Sequence, residues 1–204
     1  MAKKIIIKAF LLLIIPCFAF AQQKEKTYII NKTLMLQASL SPGYMFYHKG
    51  LWNSYFHCTL EWGFDNRVSI RADGSYFLTT QGDYRPFHLD HSLLLGAFYH
   101  IPISTKGDFY FGLQPGAAMV QQNPYTYNDS LISNPKLKIA PIITAAVGAN
   151  YFFWKYMNLF ISIKYIHGNH IAQYGKAIPL DEIRLSAGLG WQIHFGKGKN
   201  KKKS

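Results

Sequence analysis

The chain has 204 residues, of which 49% are hydrophobic and 16% are charged, and its formal net charge is +12. Eight of its 22 basic residues lie in the first 21 and the last nine residues, which leaves 14 basic against 10 acidic residues between them. A lysine tail without interleaved aromatic residues, on a domain whose basic and acidic residues nearly balance, argues against nucleic-acid binding. A single cysteine after residue 21 excludes an intrachain disulfide in that part of the chain.

Residues 1–21 have the composition of a secretory signal peptide. Three lysines come first, the stretch over 9–20 is almost wholly apolar, and a small-x-small cleavage motif ends at Ala21. The apolar stretch is shorter than the ~20 residues that a membrane-spanning helix needs. A proline directly before Cys17 is unlike a lipoprotein processing site. We therefore expect export and cleavage near Ala21 rather than a helical anchor or a lipid-modified cysteine.

Eight later segments alternate between apolar residues and polar or small residues. In the last of them every second residue from Ile183 to Phe195 is apolar, and the residues between are polar or small. Such period-two alternation predicts a β-strand whose two faces meet different environments. The predicted strands are 33–47, 54–64, 67–79, 87–101, 108–120, 136–152, 157–167 and 182–195.

The connections between these strands alternate in length, apart from a brief first one. The longer connections are also richer in Gly, Pro, Asn and Gln. Outer-membrane barrels have short periplasmic turns and longer extracellular loops, and an even number of strands with both termini in the periplasm places the long loops outside. The short connections lie near 65–66, 102–107 and 153–156, and the others at 48–53, 80–86, 121–135 and 168–181.

Alternation alone does not decide which face points outward, because a soluble ligand-binding barrel is apolar inside and a membrane barrel is apolar outside. Here the mid-strand apolar residues are aliphatic, the polar face is rich in glycine, and aromatic residues gather near strand ends as in interfacial girdles. The prediction is an all-β fold, an eight-stranded antiparallel up-and-down transmembrane β-barrel. The girdle aromatics are Tyr44, Phe46, Trp62, Phe64, Tyr99, Phe109, Tyr151, Trp154, Tyr165, Trp191 and Phe195.

The polar face carries ionisable residues that the alternation assigns to the barrel interior. The interior of an eight-stranded barrel is wide enough only to be filled by side chains, and an unpaired buried charge costs several kcal/mol. Three acids and three bases therefore predict an inner salt-bridge network, either as a structural plug or as a narrow polar conduit or gate. The six residues are Glu61, Arg71, Asp73, Asp90, Lys164 and Arg184.

The final strand from Leu185 to Phe195 ends in an aromatic residue and is similar to the C-terminal signal read by the barrel-assembly machinery, although nine residues follow it. With the signal peptide and the strand count, this makes the chain resemble the small eight-stranded outer-membrane barrels of the OmpA/OmpX type, particularly those of Bacteroidetes-like bacteria. The resemblance implies an integral Gram-negative outer-membrane protein of the cell envelope, with outer-membrane lipids and the assembly machinery as partners. The implied division is signal peptide 1–21, N-terminal periplasmic segment 22–32, β-barrel 33–195 and basic C-terminal tail 196–204.

Lipid A deacylases of the outer membrane are also eight-stranded barrels, with a His-x-Ser pair on the penultimate strand and an acid on the last. The likeness to them indicates a candidate catalytic pair. His167 would be the histidine, on the predicted lipid side, and Glu182 would be the acid that orients it. Asn169 stands at the serine position, where an amide is no nucleophile, and Glu182 has the parity of the opposite face. An acyl hydrolase, degenerate or active, is therefore the enzyme alternative.

No metal or cofactor is expected. Histidines 88, 91, 167 and 170 lie on different strands without a tight ligand spacing, and the glycines alternate along strands instead of opening a helix. The main hypothesis is a non-enzymatic barrel with a structural or surface-binding role, whose extracellular loops contact a glycan or protein. The longest loop, with Gln121, Gln122, Asn123, Tyr125, Tyr127 and Asn128, suits such contacts. A small pore is the third hypothesis.

Overall fold

A computed structural model describes residues 30–46, 50–127, 130–132, 135–170 and 178–195. Within these ranges eight long antiparallel strands close into a barrel, which confirms the predicted fold class. The long strands are β1 (Thr33–Met45), β2 (Leu51–Gly63), β3 (Val68–Thr80), β4 (Phe87–Ser104), β5 (Gly107–Gln122), β8 (Lys138–Trp154), β9 (Met157–His170) and β11 (Glu182–His194). The short strands are β6 (Tyr125–Tyr127), β7 (Ser130–Ile132) and β10 (Ile178–Pro179).

Each long strand pairs with the next long strand along the chain, and β11 pairs with β1 to close the ring. That closing ladder runs from Thr33 opposite His194 to Met45 opposite Glu182. Because a closed ring has no edge strand, each of the eight long strands finds backbone partners on both sides, as a bilayer requires. The predicted signal peptide, most of the 22–32 segment and the tail after residue 195 lie outside the described residues.

The two ends of the barrel differ as the sequence predicted. One end, here called the short-turn end, carries the turns at 64–67, 105–106 and 155–156 together with the start of β1 and the end of β11. The other, the long-loop end, carries the remaining four connections. The turn after β4 is shorter than predicted, because Pro102 and Ser104 still pair with Asp108 and Gly107. The connection after β5 contains the β6–β7 hairpin, which the sequence did not indicate.

The outer surface of the barrel is apolar and the interior is polar. Leu40 on β1, Leu93 on β4 and Ile161 on β9 are 68%, 67% and 58% exposed, although each lies within its strand and away from the turns and loops. An apolar band of this extent around a closed barrel is the surface of a protein embedded in a bilayer. Within the described residues, no helix combines the length and apolarity that crossing a membrane demands.

Aromatic side chains pack together near both ends of the outer surface. At the long-loop end the Tyr44 and Trp52 rings lie 5.2 Å apart, and at the short-turn end the Trp62 and Phe195 rings lie 5.6 Å apart. Amphipathic rings favour the boundary between lipid tails and water. The two groups therefore mark the borders of the apolar band.

Bulges alter the inside–outside alternation near the long-loop end. The register of β4 against β5 shifts between Phe87 and Leu89, so that both Phe87 and Asp90 point into the barrel despite their opposite parity. A β-bulge inserts one residue into a strand and changes which side chains face the interior. The bulge therefore adds an apolar side chain to the interior beside a carboxylate.

Candidate functional site

The most concentrated chemistry of the barrel lies in its interior, in three ion clusters stacked along the axis. All six ionisable residues assigned to the interior from the sequence are there, each between 0% and 4% exposed. The structure groups them with further polar residues from six of the long strands. We name these the short-turn cluster, the central cluster and the loop-end cluster, according to their position.

The short-turn cluster is built around Glu61 on β2. Arg71 on β3 donates to one carboxylate oxygen of Glu61 from Nε at 2.9 Å and from Nη2 at 2.6 Å, and Ser69 donates to the other oxygen. His100 on β4 bridges Glu61, 2.7 Å from its Nε2, and Asp108, 2.5 Å from its Nδ1. An imidazolium ring with a proton on both nitrogens satisfies both contacts as a donor.

The guanidinium of Arg71 also lies between two aromatic rings. Its central carbon is 4.0 Å from the centroid of Phe98 and 4.1 Å from that of Tyr110. Stacking on both faces leaves the guanidinium edge for the carboxylate, an arrangement that a lysine ammonium does not reproduce. Arg71 therefore joins β3 to β2, β4 and β5 across the interior.

The central cluster joins opposite walls of the barrel. Lys164 on β9 donates to Asp73 on β3 at 2.6 Å, and its Nζ lies 2.7 Å from Nε2 of His57. Thr59 donates to the other carboxylate oxygen of Asp73 at 2.5 Å. The Lys164–Asp73 bond links residues 91 positions apart, so it constrains the barrel across its width.

The loop-end cluster holds two carboxylates around one arginine. Arg184 on β11 binds Glu182 at 2.8 Å and lies 3.8 Å from Asp90. The hydroxyl of Tyr55 lies 2.8 Å from a carboxylate oxygen of Asp90 and 3.1 Å from one of Glu182, so its single proton is shared between the two acids. The Arg184 guanidinium also stacks 3.6 Å from the centroid of the Tyr55 ring. Tyr55 thus bridges the two acids and packs against the base.

Sequence reasoning omitted several members of these clusters, including two carboxylates. Glu182, Asp108, His100 and Tyr55 have the parity of the polar face on their strands and are each at most 1% exposed. Alternation was the signal that would have included them. With Glu182 and Asp108 the described interior holds five carboxylates and three Lys or Arg side chains. The interior therefore contains two more acids than the three that were predicted from the sequence.

Apolar side chains fill the interior next to the ion clusters. At the long-loop end the ring of Phe77 packs 5.8 Å from that of Tyr55, within a buried group that extends to Ile178 and Leu180. At the short-turn end Ile30, Met35 and Phe152 form a second buried group. The arrangement is a packed interior rather than an open passage.

The alternative catalytic pair does not come together. His167 lies on the outer surface, whereas Glu182 is buried in the loop-end cluster. The acid that contacts His167 is Asp181, with Oδ1 2.6 Å from Nδ1. The neighbouring outward positions on β9 are Tyr165 and Asn169, and Ile143 is opposite on β8. This part of the described surface offers a His–acid pair without a serine or cysteine nucleophile beside it.

The histidines considered as metal ligands are also separated. His170 is buried in the interior and His167 is outside. His91 stacks on Tyr76 at 4.2 Å and accepts a hydrogen bond from the backbone nitrogen of Phe77. Among the residues that the structure describes, no group of three or more His, Cys, Asp or Glu residues is arranged to hold a metal ion.

The long-loop end is held together by side-chain amides. Asn123 donates to the backbone oxygens of Arg85 at 2.6 Å and Phe87 at 3.2 Å, and Gln121 donates to that of Pro135 at 3.0 Å. Of the amides that suited ligand contacts by composition, Asn123 therefore fastens the base of the β6–β7 hairpin to the preceding loop, and Gln121 joins the two ends of the connection that contains the hairpin. Asn128 lies outside the described residues.

At the level of sequence, no protein-family model and no curated protein matches the chain. Among solved structures it is similar to the outer membrane protein OprG from Pseudomonas aeruginosa, with a TM-score of 0.62, 12% identity, and coverage of 82% of this chain and 100% of that one. It is similar to Neisserial surface protein A, with a TM-score of 0.63, 12% identity, and coverage of 78% and 97%. It is also similar to Ail of Yersinia pestis, with a TM-score of 0.53, 8% identity, and coverage of 80% of this chain and 99% of that one. The chain thus has the fold of the small eight-stranded outer-membrane barrels.

Proposed function

We propose that this chain is an integral outer-membrane protein with a structural or surface-binding role, which it performs through its long-loop end. The observation that carries the proposal is the packed interior, in which ion clusters and groups of buried apolar side chains occupy the barrel. An interior filled by side chains provides rigidity rather than passage. The apolar outer surface and the likeness to outer-membrane barrels support the location.

The packed interior predicts that the protein does not conduct ions. In planar lipid bilayers we expect no discrete conductance steps, because the ion clusters join opposite walls by direct bonds such as Lys164–Asp73. A mobility shift on boiling before electrophoresis verifies that the sample is folded. The prediction would be overturned by reproducible conductance steps whose ion selectivity differs between the unaltered protein and Lys164→Gln, because such a difference would show that ions pass through the interior.

The β6–β7 hairpin is the best candidate for ligand contact. It extends from the base that Asn123 holds, and the side chain of Leu131 is 68% exposed. Basic residues Arg85, Lys136 and Lys138 lie at the same end of the barrel. One of the similar structures is Ail in complex with the heparin analogue sucrose octasulfate. A sulfated glycan is therefore the first ligand class to examine.

Replacing residues 125–132 with a Gly/Ser linker is expected to weaken binding to immobilised heparin at least about fivefold, as the loss of a central contact region does. The measurement is surface plasmon resonance on detergent-solubilised protein. Because the variant keeps Asn123 and its bonds to the preceding loop, the barrel should retain its mobility shift on boiling. Lys106→Gln at the short-turn end is the matched control and should bind normally. Equal binding by all three proteins, or none by the unaltered one, would contradict a glycan-binding hairpin.

A further inference from the structure

The outer wall of the barrel contains an apolar groove that crosses β3, β4, β5 and β8 near the short-turn end. Its volume is about 560 Å³, within the range of about 300–1,000 Å³ that is usual for ligand sites. Small residues form its floor, namely Ala97, Gly112 and Ala145. The groove exists because these positions lack the large aliphatic side chains found elsewhere on the outer surface.

Two neighbouring rows of the sheet define the shape of the groove. In one row Tyr99 pairs with Phe111, which pairs with Val147, and their exposed side chains form a wall toward the short-turn end. In the next row Leu113 stands between Ala97 and Ala145. The result is an elongated apolar depression in the face that contacts lipid tails.

A cation lies at the short-turn side of this groove. Arg67, in the turn between β2 and β3, is exposed, and its Nη1 donates to the hydroxyl of Tyr99 at 3.1 Å. In the part of the chain that the structure describes, no carboxylate lies within ion-pair distance of this guanidinium. A guanidinium presents five donors in a fork that matches phosphate oxygens, so Arg67 retains donors for an anion at the membrane surface.

We propose that the groove binds one anionic glycerophospholipid, with an acyl chain along Ala97 and Ala145 and the phosphate at Arg67 and Tyr99. An apolar depression in a lipid-facing wall excludes water and fits a hydrocarbon chain, while a cation beside a tyrosine hydroxyl at the short-turn end suits a phosphate headgroup. The inference rests on the proposed membrane location. It adds a specific lipid site in the leaflet on the side of the short turns.

The test is native mass spectrometry of the protein released from micelles that contain equal amounts of phosphatidylglycerol and phosphatidylcholine. The unaltered protein should retain one phosphatidylglycerol. Filling the groove with Ala97→Phe and Ala145→Phe should lower retention of both lipids about tenfold, since the buried chain segment is displaced. Arg67→Gln should reduce the preference for phosphatidylglycerol about two- to fivefold while the chain still binds.

The opposite wall of the barrel offers matched controls. Ala38→Phe makes the same kind of substitution at an outward position on β1, and Lys32→Gln removes a cation before the same strand. Both should retain lipid like the unaltered protein. Equal lipid retention by the groove-filled variant and by Ala38→Phe would overturn the proposal. Dimers of the unaltered protein that dissociate when the groove is filled would also overturn it, because a second copy of the chain would then cover the groove. Failure of every variant to fold into lipid vesicles would instead contradict the proposed membrane location.

Discussion

Arg71→Ala is expected to lower the free energy of unfolding by about 3–5 kcal/mol, the usual result of breaking a buried ion pair by removing one partner. The substitution removes both hydrogen bonds to Glu61 and leaves that carboxylate in the interior with His100 and Ser69. It also empties the space between Phe98 and Tyr110. Urea unfolding in detergent micelles, followed by tryptophan fluorescence, measures the loss.

Three companion variants separate charge from packing in this experiment. Arg71→Lys keeps the charge but lacks the planar guanidinium that stacks between the two rings, so we expect an intermediate loss of unfolding free energy. Arg71→Met combined with Glu61→Gln removes both charges and should lose less than the sum of the single changes. Arg85→Ala, at an exposed loop position, should change stability by no more than about 0.5 kcal/mol. Unaltered unfolding of Arg71→Ala would refute a stabilising role for the short-turn cluster.

Ile161→Arg is expected to destabilise the barrel in lipid by about 2–4 kcal/mol, the cost of a cationic side chain near the middle of the bilayer. Ile161 is 58% exposed and lies about midway along the chain between the exposed aromatic residues Tyr156 and Tyr165, so the new side chain would replace an aliphatic contact with lipid tails. Folding into phosphatidylcholine vesicles over a urea series, monitored by the mobility shift on boiling, provides the free energy.

The depth dependence of this effect makes it a test of orientation. Phe195→Arg, at the aromatic border of the short-turn end, should cost no more than about 1 kcal/mol because the substituted side chain reaches the interface. In a water-soluble barrel both positions would be exposed to solvent and both changes would be nearly neutral. Equal, small effects at Ile161 and Phe195 would therefore contradict a membrane-embedded outer surface.

The fold could be predicted to a large extent because alternation records the two environments of each strand residue by residue. The pattern from Ile183 to Phe195 indicates which side chains share a face, and the same reasoning on the other strands assigned Lys164 and Asp73 to the polar face. Its errors were local. The bulge at Phe87–Leu89 inverted the parity at the start of β4, and the β6–β7 hairpin lay in a connection without a recognisable pattern.

The sequence by itself determined the number of long strands, their faces and the polar character of the interior, since each of these depends on the short-range order of residue types. The tertiary structure decided which interior residues meet. Contacts such as Lys164 with His57, 107 positions apart, depend on strand register and on closure of β11 against β1. It likewise separated His167 from Glu182, paired His167 with Asp181, and formed a groove from small residues on β4, β5 and β8. Proximity across a closed barrel is a property of the assembled sheet, and no single strand carries it.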